Sequence, residues 1–159
     1  MYYIKSMMKL SKMTDYAVVC LGTLARRPGS SMSAAVLSRE TGLKLYTVQK
    51  LLKLLVSKSD FIRANRGPRG GYILNKNSSE ISVVEIIEAL DGPITLTSCV
   101  DKSESFCESS DICFLGGKWN KINEIIRKSL NDISLKELLS YENPFLTNEN
   151  EAISINRIN

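Results

Sequence analysis

The chain has 159 residues, 43% of them hydrophobic and 24% charged, with a formal net charge of +4 and no histidine. That length suits one compact domain, or a small domain with a dimerisation element. It holds no run near the about 20 apolar residues needed to cross a bilayer, and no leader-like apolar run precedes a small-residue cleavage site, so a cytoplasmic protein is expected. In that compartment four cysteines are expected to be free or metal-bound rather than paired in structural disulfides.

Residues 1–8 carry little signal, and Met8 is as good a start as Met1. Helical patterning begins near Thr14 with Tyr16, Ala17, Val18, Val19, Leu21, Leu24 and Ala25, apolar on most sides, and ends at Arg26-Arg27-Pro28-Gly29. Cys20 lies within it and reads as a packed thiol.

Ser33 can cap a short helix running to about Glu40, with Val36 and Leu37 inward. Thr41-Gly42-Leu43 then turns into a longer helix over about 44–58. Leu45, Val48, Leu51, Leu52, Leu55 and Val56 form its apolar arc, while Tyr46, Gln49, Lys50 and Lys53 share the opposite one. A helix, a glycine turn and a helix with a polar-basic face make the helix-turn-helix pattern. Phe61-Ile62-Arg63-Ala64 and Gly71-Tyr72-Ile73-Leu74 read as paired strands joined by Asn65-Arg66-Gly67-Pro68-Arg69-Gly70, a hairpin with the character of a DNA-binding wing. Residues 39–76 hold nine Lys or Arg against only Glu40 and Asp60. Such an excess fits a phosphate-neutralising surface, although an acidic protein or a membrane surface would also attract it.

The expected DNA-contacting residues are Tyr46, Thr47, Gln49, Lys50, Lys53, Arg63, Arg66 and Arg69. Gln49 suits adenine, Lys50 guanine or phosphate, Tyr46 the backbone or a thymine methyl, and Arg66 the minor groove or a phosphate. An ordinary solvated helix face is the bland alternative, and the neighbouring glycine turn and basic hairpin count against it.

Ser82-Val83-Val84-Glu85 is a capping box opening a helix that Asp91-Gly92-Pro93 closes. Cys99, Cys107 and Cys113 follow in a C-x7-C-x5-C spacing. Zinc would want a fourth Cys or a His, and the chain has no histidine. A bare redox thiol would want a lowered pKa, yet Asp101, Glu104, Glu108 and Asp111 surround these sulfurs with only Lys102 opposing. An iron–sulfur cluster accepts three thiolates and an atypical fourth ligand: oxygen, water, Cys20 or a group from a second chain. Spacing leaves all three readings open.

A final strong helix is expected from Lys118 to about Leu130, with Trp119, Ile122, Ile125, Ile126 and Leu130 on one side. Asn120, Lys121, Asn123, Glu124 and Arg127 take the other. A second subunit is the economical cover for its apolar stripe. Ser134 and Glu137 repeat the cap before a short helix, and the polar tail reads as lacking fixed structure.

In this order the motifs Leu10-Ser11-Lys12-Met13-Thr14-Asp15-Tyr16-Ala17, the helix pair 34–57, Arg66-Gly67-Pro68-Arg69-Gly70-Gly71-Tyr72, Glu88-Ala89-Leu90-Asp91-Gly92-Pro93 and the three cysteines resemble the Rrf-two family of winged-helix transcription regulators, which includes the IscR, NsrR and RirA types. The resemblance covers roughly residues 8–139. Within the family the likeness is strongest to proteobacterial regulators of the SUF iron–sulfur assembly operon, through residues 12–16, 51–55, 92–94, Cys113 and 117–123. It implies a homodimer whose Cys99, Cys107 and Cys113 ligate a [2Fe–2S] or [4Fe–4S] cluster, with occupancy altering promoter binding. The histidine ligand of the IscR type falls at Gly116. The NsrR type takes an acidic residue from the other subunit near the start of the first helix, which matches Asp15.

The expected fold class is mainly α with a small β hairpin: a winged helix-turn-helix over 8–92, a cluster-binding loop over 93–117, a dimerisation helix and short following helix over 118–140, and a tail over 141–159. The expected function is promoter-DNA binding, most simply repression of iron–sulfur assembly genes. A clusterless regulator responding to thiol oxidation or nitric oxide is the alternative, followed by a winged-helix protein-interaction module. An enzyme is the least supported class, with no histidine base and no phosphate-loop signature.

Overall fold

The computed structural model describes residues 10–67, 70–97, 100, 113–115 and 118–140. Helix α1 (Lys12–Ala25) starts where Ser11 accepts a hydrogen bond from the Thr14 amide, and it turns Ala17, Cys20, Leu21 and Leu24 into the core. Helix α2 (Ala34–Thr41) is capped by Ser33 and stopped by Gly42, whose φ of 72° places it in the left-handed region that a side chain would strain. That turn redirects the chain into α3 (Leu45–Lys58), which buries Val48, Leu51, Leu52 and Leu55. Each fully buried leucine contributes about 1.5–3 kcal/mol, so this arc anchors α3 on the body.

Strands β1 (Ile62–Asn65) and β2 (Gly71–Leu74) pair antiparallel, with Ile62 opposite Leu74 and Asn65 opposite Gly71. Met32 adds a bridge to Tyr72, which ties the hairpin to the chain entering α2. A short 3-10 turn at Ser78–Glu80, absent from the sequence expectation, carries its own Asn77–Glu80 capping box. Helix α4 (Val83–Asp91) opens with the expected Ser82–Glu85 box and packs Val84, Ile86 and Ala89 inward. Helices α5 (Lys118–Asn131) and α6 (Leu135–Ser140) complete the described fold. Leu135 is buried in the shared core, and α6 lies so close to α1 that a Cβ on Gly22 would sit 2.7 Å from a Leu139 methyl. No helix among the described residues is long and apolar enough to cross a membrane.

The fold class is therefore the expected one, a mainly helical body with one small hairpin. Two side-chain placements differ from expectation. Leu45 was expected in the buried arc of α3 but, as the first residue of the helix, is 42% exposed. Asn123 was expected on the solvent side of α5 and is instead only 7% exposed, while Trp119, Ile122 and Ile125 face outward. The tail over 141–159 lies outside the described residues.

Candidate nucleic-acid interface and cysteine segment

Helix α3 presents Tyr46, Gln49, Lys50 and Lys53 on one exposed arc, with Tyr46 75% exposed and Thr47 half-buried beside it. The side chains of Lys50, Lys53, Arg63 and Arg66 form no ion pair with any other described residue. The two acids of the segment are already committed: Glu40 accepts from Arg27 Nη1 at 2.7 Å, and Asp60 holds Lys76 Nζ at 2.8 Å. Lys76 also reaches Glu85 at 3.3 Å, fastening the base of the hairpin to α4. The face thus keeps its cations unneutralised, which is what a polyanion requires.

The start of α3 differs from those of α1, α2 and α4. Its N-cap, Lys44, makes no side-chain cap bond, whereas Ser11, Ser33 and Ser82 each cap theirs. Arg63 on β1 and Arg66 just beyond it are both exposed on the hairpin, Arg66 directly before Gly67, whose φ of 113° turns the wing. Arg69, expected with them, lies outside the described residues. Sequence reasoning missed Leu45 on this face.

The other candidate region starts where α4 ends. The Asp91 carboxylate accepts from the Ser11 amide at 3.1 Å and from the Thr14 hydroxyl at 2.8 Å, which locks the first turn of α1 to the last of α4. Burial pushes the Asp91 carboxyl upward, but those hydrogen bonds outweigh it and hold the group below its ordinary value. Asp15, one residue beyond Thr14, is exposed in that first turn.

Asn123 on α5 then clasps the segment leading to Cys99. Its amide nitrogen donates to the Ile94 carbonyl at 2.9 Å and its oxygen accepts from the Leu96 amide at 3.1 Å. One turn on, Arg127 pairs with Glu88 of α4 through two bonds of 2.8 and 2.9 Å. The Arg127 bonds hold the Glu88 carboxyl below the usual carboxylate range against a smaller effect of burial.

Of the three loop cysteines, Cys99 and Cys107 lie outside the described residues, and Cys113 is exposed five positions before α5. Cys20 is fully buried in the core, and burial pushes its thiol up to about 11. Its sulfur is sealed among core side chains, with no exposed surface at which to meet a metal. Among the described residues no three metal-ligating groups come together.

A winged helix-turn-helix with a bare cationic face defines a DNA-binding regulator. The sequence profile of the Rrf2 (Rrf-two) family, described as an iron-dependent transcriptional regulator, matches residues 10–141, and the chain belongs to that family. It is 32% identical over 136 residues to the HTH-type transcriptional regulator IscR of Sodalis glossinidius, covering 85% of this chain and 81% of that one. Among solved structures it is similar to a Listeria innocua protein assigned as a transcriptional regulator, with a TM-score of 0.65, 25% identity, and coverage of 89% and 93%. The oxidised form of Staphylococcus aureus CymR gives a TM-score of 0.60 at 27% identity, covering 86% and 99%. The family regulates transcription, so the protein is a regulator and not an enzyme.

Proposed function

We propose that this protein is a homodimeric promoter-binding repressor of iron–sulfur assembly genes of the SUF type, governed by an iron–sulfur cluster held on Cys99, Cys107 and Cys113. Gln49, Lys50, Lys53, Tyr46 and Thr47 read and grip the major groove, and Arg63, Arg66 and Arg69 clamp the backbone from the wing. The donor chemistry fits a cluster better than zinc: three thiols occur with no histidine, and the fourth thiol is sealed in the core. The partner subunit's Asp15 supplies the fourth ligand, an exposed carboxylate at the first turn of α1. Cys99, Cys107 and Cys113 would hold the cluster as thiolates, whose charge amid the acidic residues of the loop its iron would neutralise.

One observation carries the regulatory half of this reading. The Asn123 clasp fixes residues 94–96 to α5, and Cys113 lies five residues ahead of the same helix, so the cysteine segment starts from a clasp on α5 and leads back into that helix. A change within that segment therefore acts on α5, whose outward stripe of Trp119, Ile122 and Ile125 offers the dimer contact. Resetting two recognition helices relative to one turn of DNA would then alter affinity.

The test is anaerobic reconstitution of the full chain, followed by iron and sulfide analysis, a visible spectrum and promoter binding. A coloured protein is expected, with Cys107→Ala abolishing the absorbance and promoter affinity differing about fivefold or more between loaded and stripped forms. A colourless, iron-free product overturns the cluster reading. The likeness to an oxidised CymR favours a second reading, a clusterless thiol regulator. It would show affinity changing with oxidant while iron stays absent.

A further inference from the structure

The first turn of α3 carries an apolar side chain that the core does not use. Leu45 is 42% exposed, directly after Lys44 and one turn ahead of Gln49, which shares its side of the helix. An exposed leucine is ordinary on a protein surface, but this one stands at the start of the recognition helix, where the residues that reach base edges are placed. Its surroundings select the occupant. Lys44, Lys50 and Lys53 are all exposed on α3 or at its cap, so a neutral protein surface seated there would leave those cations desolvated and unpaired. DNA instead offers phosphates to the cations and, in the major groove, one apolar group on its base edges, the C5 methyl of thymine.

We propose that Leu45 is a specificity-determining residue that reads a thymine methyl in the major groove beside the base contacted by Gln49. The inference rests on DNA binding by α3 and is independent of any cluster. Tyr46, the alternative apolar reader, projects further round the helix on the side of Lys50 and Lys53.

The experiment uses the full chain, both metal-free and anaerobically reconstituted, to select duplexes from a random pool. Each thymine of the selected half-site is then replaced singly by uracil, which removes only the methyl group. Wild-type protein should lose about fourfold in affinity at one thymine per half-site, the scale of one buried methyl. Leu45→Ala should bind thymine and uracil equally at that position, and Leu45→Met, which keeps an apolar contact, should restore part of the preference. Tyr46→Ala should leave the uracil penalty in place. A scan of the wild type with no penalty at any thymine overturns the proposal, as does a penalty that disappears with Tyr46→Ala and persists with Leu45→Ala. If no sequence is enriched from the pool, the DNA-reading assignment of α3 falls and this inference with it.

Discussion

Helices α3 and α5 are both 14 residues long, and both divide an apolar arc from a polar one. They use the division in opposite ways. In α3 the leucines at 51, 52 and 55 are fully buried and the cations face solvent. In α5 a polar residue, Asn123, is the side chain turned inward, while Trp119, Ile122 and Ile125 are left outside. An apolar face buried or half-buried at all but Leu45, with a bare cationic one beside it, suits a polyanion that arrives from solution. A helix that hides its asparagine and shows its isoleucines leaves an apolar face uncovered in one copy, the face that the proposed dimer would bury. On the proposed function the two helices divide two tasks, α3 reading DNA and α5 setting the distance between two readers.

The sharpest way to break that division is to charge the outer face of α5. Ile122→Glu with Ile125→Glu should convert the proposed dimer to a monomer in analytical ultracentrifugation. Promoter affinity should fall about 100-fold or more, because half-sites then bind one at a time. A dimer that survives would move the interface elsewhere. On the α3 side, Arg66→Ala should weaken binding about tenfold across all sequences and lower the salt dependence by about one unit of slope. A loss confined to one operator sequence would make Arg66 a base reader instead.

Smaller, and specific to the joint between the regions, is Asn123→Ala. It strands the Leu96 amide and the Ile94 carbonyl, a cost of about 1–3 kcal/mol read from denaturant unfolding. It should also loosen the segment before Cys99, so Cys99 of metal-free protein should alkylate faster while the rate at exposed Cys113 is unchanged and Cys20 stays unlabelled. Unchanged alkylation of Cys99 would mean that the clasp serves stability alone.

Much of the fold was legible because its punctuation is local. Ser33, Gly42, the Ser82–Glu85 box and the Ser134–Glu137 pair each act within one turn, and each does in the structure what its residue type implies. Leu45 and Asn123 were not legible for the same physical reason. Helical period states which residues share a side, but not where along the helix the core stops or which neighbouring backbone needs a partner. Leu45 continues the apolar arc to the first residue of the helix, where it is exposed. Asn123 answers two backbone groups 27 and 29 residues away, for which no local signal exists. The cationic face was readable from charge counts, yet the commitment of Glu40 and Asp60 to Arg27 and Lys76 needed coordinates.

The smallest expected effect concerns acid, and it tests whether α4 truly holds both regions together. Asp91 joins α4 to the start of α1, and Glu88 joins it to α5. Both carboxyls sit below their ordinary values in the folded protein. A lowered folded value means that the unfolded chain binds protons first, so the stabilisation is complete above about pH 4, the ordinary carboxylate range. It is lost as pH falls through the lowered values. Both groups are substantially solvated, so each contributes under about 1 kcal/mol. Neither carboxyl changes state between pH 5 and 8, and the chain offers no imidazole to do so. The stability difference between wild type and Asp91→Asn should therefore be constant across that interval and shrink below about pH 4. A difference that instead drifts between pH 5 and 8 would show another titrating group acting on the α1–α4 lock, and Asp91 would lose its place as the charge that fastens the two helices.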